Sequence, residues 1–171
     1  MQNLEFYASI AEIFGALTIV LGAGFAYVQF NEYHKRRQNQ VAAELCRKFA
    51  EPDMGRAVTL LRQLPDDISM AELQAMDPEY EQSAQIIGMA FETMGLMVYK
   101  EIASFEMVQQ LAGGLMQSMW RKIRRWVAET RDDIGNPRFA EWMEWMADRL
   151  AEHEAEIKPA FIVHADWKIK S

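Results

Sequence analysis

The hydrophobic positions divide the chain into an apolar N-terminal segment and a longer amphipathic part. From Ile13 to Phe30 the sequence carries no charged residue for 18 positions. As a helix rising about 1.5 Å per residue, this segment reaches about 27 Å, close to the ~30 Å hydrocarbon thickness of a bilayer. It is apolar on nearly all sides, with no polar stripe to face water. The pattern predicts a short N-terminus and a transmembrane helix over residues 1–34, followed by a domain over residues 35–171.

The charges that flank this segment predict its orientation. Glu5 and Glu12 precede or begin it, whereas Lys35, Arg36 and Arg37 follow it. A cleaved signal peptide needs basic residues before its apolar run, so an uncleaved anchor is favoured. A buried helix of a soluble core is the other alternative. The positive-inside rule then predicts a single-pass protein of an inner membrane, with its N-terminus outside, its C-terminal domain in the cytoplasm, and membrane lipid as a partner.

Small residues recur at steps of three or four along one face of the predicted membrane helix. Close backbone approach drives helix association in lipid, so this stripe favours self-association. The alternative is that Gly and Ala are simply frequent in membrane helices. The stripe consists of Ala8, Ala11, Gly15, Thr18, Gly22 and Ala26.

Turn and capping signals divide residues 35–171 into helices, with no alternating β-branched run long enough for a strand. Pro52 ends the first helix, and a second helix, RAVTLLRQL, ends before Pro65. A capping box at Ser69-Met70-Ala71-Glu72 and an N-cap at Asp77-Pro78 start two more. The pattern predicts an all-α fold in which a single N-terminal transmembrane helix precedes a small helical bundle.

The longest predicted helix begins at Pro78 and is the most apolar, so we place it at the centre of the bundle. Gly113-Gly114 predicts a break, Asn136-Pro137 predicts the cap of the last long helix, and an irregular tail after Pro159 is expected to pack back on the domain. The predicted core residues are Ile86, Ile87, Ala90, Phe91, Met94, Val98 and Tyr99, then Met116, Met119, Trp120, Ile123, Trp126 and Val127, then Phe139, Trp142, Met143, Met146 and Leu150, with Phe161, Ile162, Val163 and Trp167 in the tail.

Composition excludes several functional classes. The net charge of -7 argues against a uniformly basic nucleic-acid-binding protein. Cys46 is the only cysteine, so neither an internal disulfide nor a four-cysteine zinc site can form. Phosphate-binding loops, nucleophile elbows and dinucleotide fingerprints are absent from the sequence, and its three histidines are scattered. The sequence therefore predicts no catalytic residue, metal or cofactor.

A basic cluster between two tryptophans is the most distinctive charged segment of the domain. It comprises Arg121, Lys122, Arg124 and Arg125. These cations can bind phosphate groups of lipid, nucleotide or RNA, or they can form a solvated or ion-paired face. An acidic stripe on the last long helix offers a partner for them, within a protomer or between protomers. That stripe comprises Glu141, Glu144, Asp148 and Glu152.

Arg149 and His153 raise the question of a nuclease. Helical nucleases of the HEPN type place four to six residues between a catalytic Arg and His, whereas three lie between Arg149 and His153. A partly solvated histidine at the end of a helix is the simpler interpretation.

Several segments resemble a bacterial family known only as domain of unknown function 4760. These are FETMGLMVYKEI from Phe91 to Ile102, the Gly113-Gly114 pair, the Trp120 helix that ends in Glu129-Thr130-Arg131, and GNPRFAEWMEWMADRL from Gly135 to Leu150. The resemblance implies a bacterial protein with a membrane helix, a basic flank and a small helical domain. It supplies no catalytic residues.

Two functional hypotheses follow. The first is a non-enzymatic, membrane-anchored protein that forms a homo-oligomer or joins a larger membrane complex, in one version as a pore lined by Thr18, Gln29 and Glu12. The second is a tethered effector that binds nucleotide or RNA through Arg149, His153 and the basic cluster. Nucleic acid is the less expected partner because of the acidic net charge.

Overall fold

The structure is a computed structural model that describes the backbone of residues 2–154 and 159–169. Within these ranges, the side chains of residues 2–14, 16, 34, 35, 37–39 and 154 are outside the described part. Every regular element in the described ranges is helical, which confirms the predicted all-α class. The helices are α1 (Gln2–Ala50), α2 (Pro52–Arg62), α3 (Met70–Gln74), α4 (Pro78–Tyr99), α5 (Phe105–Val108), a π-helical turn (Gln109–Gly113), α6 (Gly114–Ile134), α7 (Glu141–Glu154) and α8 (Ala160–Val163).

The chain forms two compact units, Met1–Val41 and Ala42–Ser171. The N-terminal unit consists of the first four-fifths or so of α1, whose backbone is helical from Gln2. From Leu17 to Tyr33 every residue of this helix is exposed, although most of the segment is apolar. From Leu17 to Tyr33 this unit therefore has no buried side chain.

The predicted membrane location is wrong. Among the side chains that the structure describes, none of the helices offers a stretch that is both long and apolar enough to cross a bilayer. A span needs about 20 predominantly apolar residues, whereas the unbroken described stretch from Leu17 to Tyr33 is shorter and includes Gln29 and Glu32. Ile13 and Phe14, which the prediction included, have side chains outside the described part. The single-pass topology, N-terminus outside and C-terminal domain in the cytoplasm, is not retained.

Helix α4 lies at the centre of the C-terminal unit, as predicted. Helices α2 and α7 pack against it on different sides, and α6 contacts α2, α4 and α7. Ile87, Phe91 and Met94 of α4 are completely or almost completely buried. Tyr99, the last residue of the predicted stripe, is half exposed and stacks on Trp142 with ring centroids 4.5 Å apart. Burial of the α4 stripe organises the core because it removes apolar surface from water on two sides at once.

Two of the predicted helix starts in this unit, at Ser69 and at Asp77, are confirmed. The Ser69 hydroxyl accepts a hydrogen bond from Glu72 N, and the Ser69 backbone N–H donates to the Glu72 carboxylate. Asp77 Oδ1 accepts from Glu79 N, with Pro78 at the first helical position. These local caps satisfy amides that have no partner within their helices.

The predicted break at Gly113-Gly114 is wrong. The π-helical turn ends at Gly113 and α6 begins at Gly114 without an interruption of the helical path. Gly113 serves close packing instead, since an ideal Cβ there would lie 3.2 Å from Cδ2 of Leu150, whereas a Cβ on Gly114 would meet no atom within 4 Å. Glycine at position 113 leaves room for the Leu150 side chain of α7, a role that sequence alone cannot distinguish from a turn.

The last long helix begins later than predicted. Asn136 Oδ1 accepts from Arg138 N and closes a turn, but α7 starts at Glu141 after residues 137–140 form turns. Ala140 has a φ of 54°, a left-handed conformation that is unfavourable for a residue with a Cβ. A non-helical residue at this position separates the turn from α7.

The tail does not pack as predicted. Phe161, Ile162, Val163 and Trp167 are all more than half exposed, and α8 is a single turn. The local helix forms after Pro159, whose φ of -52° suits a helix start. The apolar residues of the tail therefore do not join the core.

Candidate functional site

The basic cluster forms ion pairs with carboxylates of the same chain. Lys122 Nζ lies 2.7 Å from Asp66 Oδ1, and Arg124 donates two hydrogen bonds to Asp67, at 2.5 and 2.7 Å. Arg121 completes the group at 4.0 Å from Asp66. A bidentate pair between guanidinium and carboxylate fixes orientation as well as distance. These cations, which the sequence suggested as one possible phosphate site, therefore pair with carboxylates of the turn between α2 and α3.

Backbone hydrogen bonds dock the same turn on the middle of α6. Asp67 N donates to the carbonyl of Arg121 at 2.8 Å, and Ile68 N donates to the carbonyl of Lys122 at 3.0 Å. Asp67 has a φ of 58°, a conformation that Asp tolerates better than most residues. We call Asp66, Asp67, Arg121, Lys122 and Arg124 the turn clamp. Its arrangement is structural, since each of these cations has a carboxylate partner.

The fourth cation of the cluster serves the next helix start. Arg125 Nε donates to Glu129 Oε1 at 2.8 Å, while Glu129 Oε2 accepts from Met70 N at 2.6 Å. The Met70 hydrogen bond is the main cause that holds the pKa of Glu129 below its ordinary value of 4.5, and Arg125 adds to it. Glu129 therefore ties α6 to the first residue of α3.

The turn clamp makes stability sensitive to acid. Hydrogen bonding to Lys122 and to Arg124 lowers the pKa of Asp66 and Asp67, respectively, below the ordinary value of 3.8. A lowered folded-state pKa contributes stability above the unfolded value and loses it as the pH falls through the folded value. We expect the free energy of unfolding, measured with urea at pH about 6 and about 3, to fall between the two. The double variant Asp66→Asn, Asp67→Asn reduces this fall.

Asp132→Asn is the matched control for that variant. Asp132 is an exposed carboxylate on α6 that forms no ion pair with any described residue. It is expected to leave the acid sensitivity unchanged. An equal effect of the control and the double variant would show that the turn clamp does not cause the pH dependence.

The acidic stripe on α7 does not meet the basic cluster within the chain. Glu144 Oε2 lies 2.6 Å from Arg131 Nη1, and this Arg131 also donates through Nε to the carbonyl of Phe139. Glu141 pairs with Arg138 at 3.4 Å and Glu152 with Arg149 at 3.0 Å. Asp148 has no ion-pair partner among the described residues. The Arg131 contacts close the connection between α6 and α7, which is a role that the stripe pattern did not reveal.

Arg149 and His153 form an ordinary helical contact. His153 Nδ1 lies 2.8 Å from the carbonyl of Arg149, and its ring packs 5.2 Å from that of Phe105. Arg149 forms an ion pair with Glu152, and both side chains are exposed. Within the described residues, no group of three or more potential metal ligands forms, and Cys46 is exposed. The contacts of Arg149 and His153 are those of a helix end.

The N-terminal sites lie partly outside the described side chains. The structure does not describe the side chains of Ala8 and Ala11 in the small-residue stripe, or those of Lys35 and Arg37 in the basic flank. Arg36 is exposed. Gly15, Thr18, Gly22 and Ala26 lie on the described portion of α1, and a Cβ at Gly15 or Gly22 would meet no atom within 4 Å.

The site that sequence analysis missed is a cavity between α4, α6 and the start of α7. It has a volume of about 290 Å³ and almost entirely apolar walls. We call it the Glu92 cavity. It is lined by Gln85, Gly88, Met89, Glu92, Trp126, Phe139 and Ala140. The wall residues come from positions up to 55 apart in sequence, so no local motif could announce it.

Glu92 is the charged residue in the lining of this cavity. Its Oε2 accepts hydrogen bonds from the backbone N–H groups of Trp142 and Met143, both at 2.9 Å, and so caps α7 from another helix. Burial is the main cause that raises the pKa of Glu92 above its ordinary value of 4.5, while the two amides and Arg131 oppose the shift. The one available signal in the sequence was a carboxylate that follows Phe91 in the most apolar helix.

The aromatic wall of the cavity contains an unsatisfied donor. Trp126 is 2% exposed, and its Nε1 has no hydrogen-bond partner among the described residues. Its ring meets that of Phe139 nearly edge-on, with centroids 5.6 Å apart. A buried donor without a partner carries an energetic cost that most folded proteins avoid. The cavity thus combines two aromatic rings with one carboxylate.

Comparison with known proteins places most of the chain in one family. A family model described as Domain of unknown function (DUF4760) matches residues 10–150. No curated protein and no solved structure matches the chain.

Proposed function

Because the chain belongs to the family described as Domain of unknown function (DUF4760), we infer its role from the surfaces of the chain itself. We propose that it is a non-enzymatic helical protein that assembles into a homo-oligomer. The N-terminal unit supplies the assembly surface, and the C-terminal unit is the domain that each copy presents. The family membership agrees with the resemblance noted in the sequence.

The exposed apolar segment of α1 carries this proposal. Leu17, Leu21, Phe25 and Val28 follow one another at steps of three and four, so they share one side of the helix. Each is more than half exposed. Contiguous exposed apolar surface of this kind marks an interaction site in a folded protein, since its burial is favourable. A second copy of the same helix supplies matching chemistry.

The distribution of apolar residues favours more than two copies. Ile19, Val20 and Tyr27 are 74%, 67% and 71% exposed and lie away from the first face. A pair of helices covers one face of each, whereas a helix that is apolar all round is buried only inside a bundle. We therefore expect α1 to pack in a bundle of helices from several copies.

The contacts of the C-terminal unit support a presented domain rather than a phosphate-binding one. The cations of the basic cluster pair with Asp66, Asp67 and Glu129. A phosphate ligand would have to displace these carboxylates, which hold α3 and its preceding turn in place. No observation favours the nucleotide or RNA alternative over assembly, and that alternative stays a prediction.

A pair of matched double variants tests the proposal. The mass of the full chain is measured by sedimentation at several protein concentrations, which separates a discrete oligomer from non-specific aggregation. Wild-type protein is expected to give a discrete species heavier than two 19.8-kDa chains. Leu21→Glu with Phe25→Glu is expected to reduce it to a monomer, since the new carboxylates would be buried without partners.

Phe161→Glu with Trp167→Glu is the control. It removes two large exposed apolar side chains and adds the same charge, but in the tail. It should leave the oligomer intact. A wild-type monomer, or an oligomer that survives the α1 variant, would refute the proposal, as would dissociation by the tail variant alone.

A further inference from the structure

The Glu92 cavity has the size of a small-molecule site. An apolar cavity of about 150 Å³ holds benzene, so about 290 Å³ has room for one aromatic ring with a short alkyl arm. Trp126 and Phe139 form aromatic walls, and Met89 contributes an adaptable thioether. Met89 is 73% exposed, which places it at the mouth. Apolar walls with a small number of polar groups, here Gln85 and Glu92, are typical of ligand pockets.

The carboxylate decides which ligand chemistry fits. Oε2 of Glu92 is taken by the two amides of α7, whereas its Oε1 has no hydrogen bond to any described residue. A carboxylate offers acceptors only, so it matches a ligand that donates. Trp126 and Phe139 add apolar aromatic surface, which suits the body of a ligand whose donor group reaches Glu92. Both features select for the same kind of ligand.

We propose that the Glu92 cavity binds a small apolar primary amine, with its ammonium group at Glu92 and its apolar body against Trp126 and Phe139. The ammonium donates to Oε1 while Oε2 continues to cap α7. Ligand binding is therefore coupled to the start of α7 through the Glu92 side chain. This site lies in the C-terminal unit and does not depend on assembly through α1.

Phenethylamine and phenethyl alcohol are the probes. They have nearly the same shape, but only the amine is charged at neutral pH. Titration of the full chain is followed by calorimetry and by the indole N–H signal of Trp126, which is assigned with Trp126→Phe. The amine is expected to bind about tenfold or more tightly than the alcohol and to shift the Trp126 signal.

Glu92→Gln tests the charge without removing the cap, because the amide oxygen still accepts from Trp142 and Met143. It is expected to weaken amine binding about tenfold and to weaken alcohol binding much less, because the alcohol carries no charge. Equal affinity of the amine for both proteins would overturn the proposal. Failure of both probes to bind wild-type protein would also overturn it.

Gly88→Leu tests the location independently. A Cβ at Gly88 meets no atom within 4 Å, so the new side chain has room to enter the cavity without displacing backbone. It is expected to abolish binding of both probes in a folded protein. Undiminished binding to Gly88→Leu would show that the probes occupy another surface and would refute the site, whatever the behaviour of Glu92→Gln.

Discussion

Gly95→Ala is expected to destabilise the C-terminal unit by about 3 kcal/mol or more. An ideal Cβ at Gly95 would lie 2.7 Å from the carbonyl carbon of Trp142 and still closer to its oxygen. These atoms belong to backbone, so no side-chain rotation relieves the overlap. Helices α4 and α7 would have to separate, and the packing between them would be lost. Urea unfolding of the full chain, followed by circular dichroism, measures the change.

Gly88→Ala is the matched substitution on the same helix. It lies two turns earlier on α4, and its added Cβ meets nothing within 4 Å. Alanine favours a helix interior over glycine by about 0.5–1 kcal/mol, so a small gain in stability is expected. A similar loss at both positions would mean that glycine is required for a reason other than the approach of α7. Wild-type stability of Gly95→Ala would show that the two helices separate at no cost.

Glu92→Leu is expected to lower the free energy of unfolding by about 2–3 kcal/mol. Each lost hydrogen bond to a charged acceptor is worth about 1.5–3 kcal/mol, and fraying of α7 recovers part of this loss because the freed amides then bind water. The substitution leaves the N–H groups of Trp142 and Met143 without their acceptor. Faster hydrogen exchange at these two amides is the specific signature, because a general loss of packing would affect α4 equally.

Glu92→Gln separates the cap from the charge. It keeps an acceptor oxygen and removes a carboxylate whose pKa is raised mainly by burial. A raised folded-state pKa gives stability below the unfolded value that is lost as the pH rises through the folded value. Glutamine should therefore remain close to wild type at neutral pH. Equal losses for Leu and Gln would show that the α7 amides do not depend on this acceptor.

The two carboxylate systems oppose each other in their response to pH. Protonation removes the contributions of Asp66 and Asp67, whose pKa values are lowered by hydrogen bonds to Lys122 and Arg124. Protonation relieves the cost of burying Glu92. The fall in stability at acid pH is therefore expected to be steeper in Glu92→Gln than in wild type. The comparison checks both assignments in one series.

The sequence by itself determined the helical class and much of the helix order. Periodic apolar positions on α4 and α6 identified Phe91, Met94, Met119 and Ile123 as core, and each is buried. The caps at Ser69 and Asp77 were readable because an N-cap acts on its own first turn. These features depend on neighbours within about four residues, which is the distance over which a pattern carries information.

Only the tertiary structure decided the sites. Gly113 read as a break because a glycine that permits close packing looks like one that permits a turn. The sequence left the basic cluster open between a ligand site and an ion-paired face, because its partners, Asp66 and Asp67, lie more than 50 residues earlier. Glu92 caps a helix that begins about 50 residues later. Local rules act through hydrogen bonds within a turn, whereas these sites depend on which helices pack together.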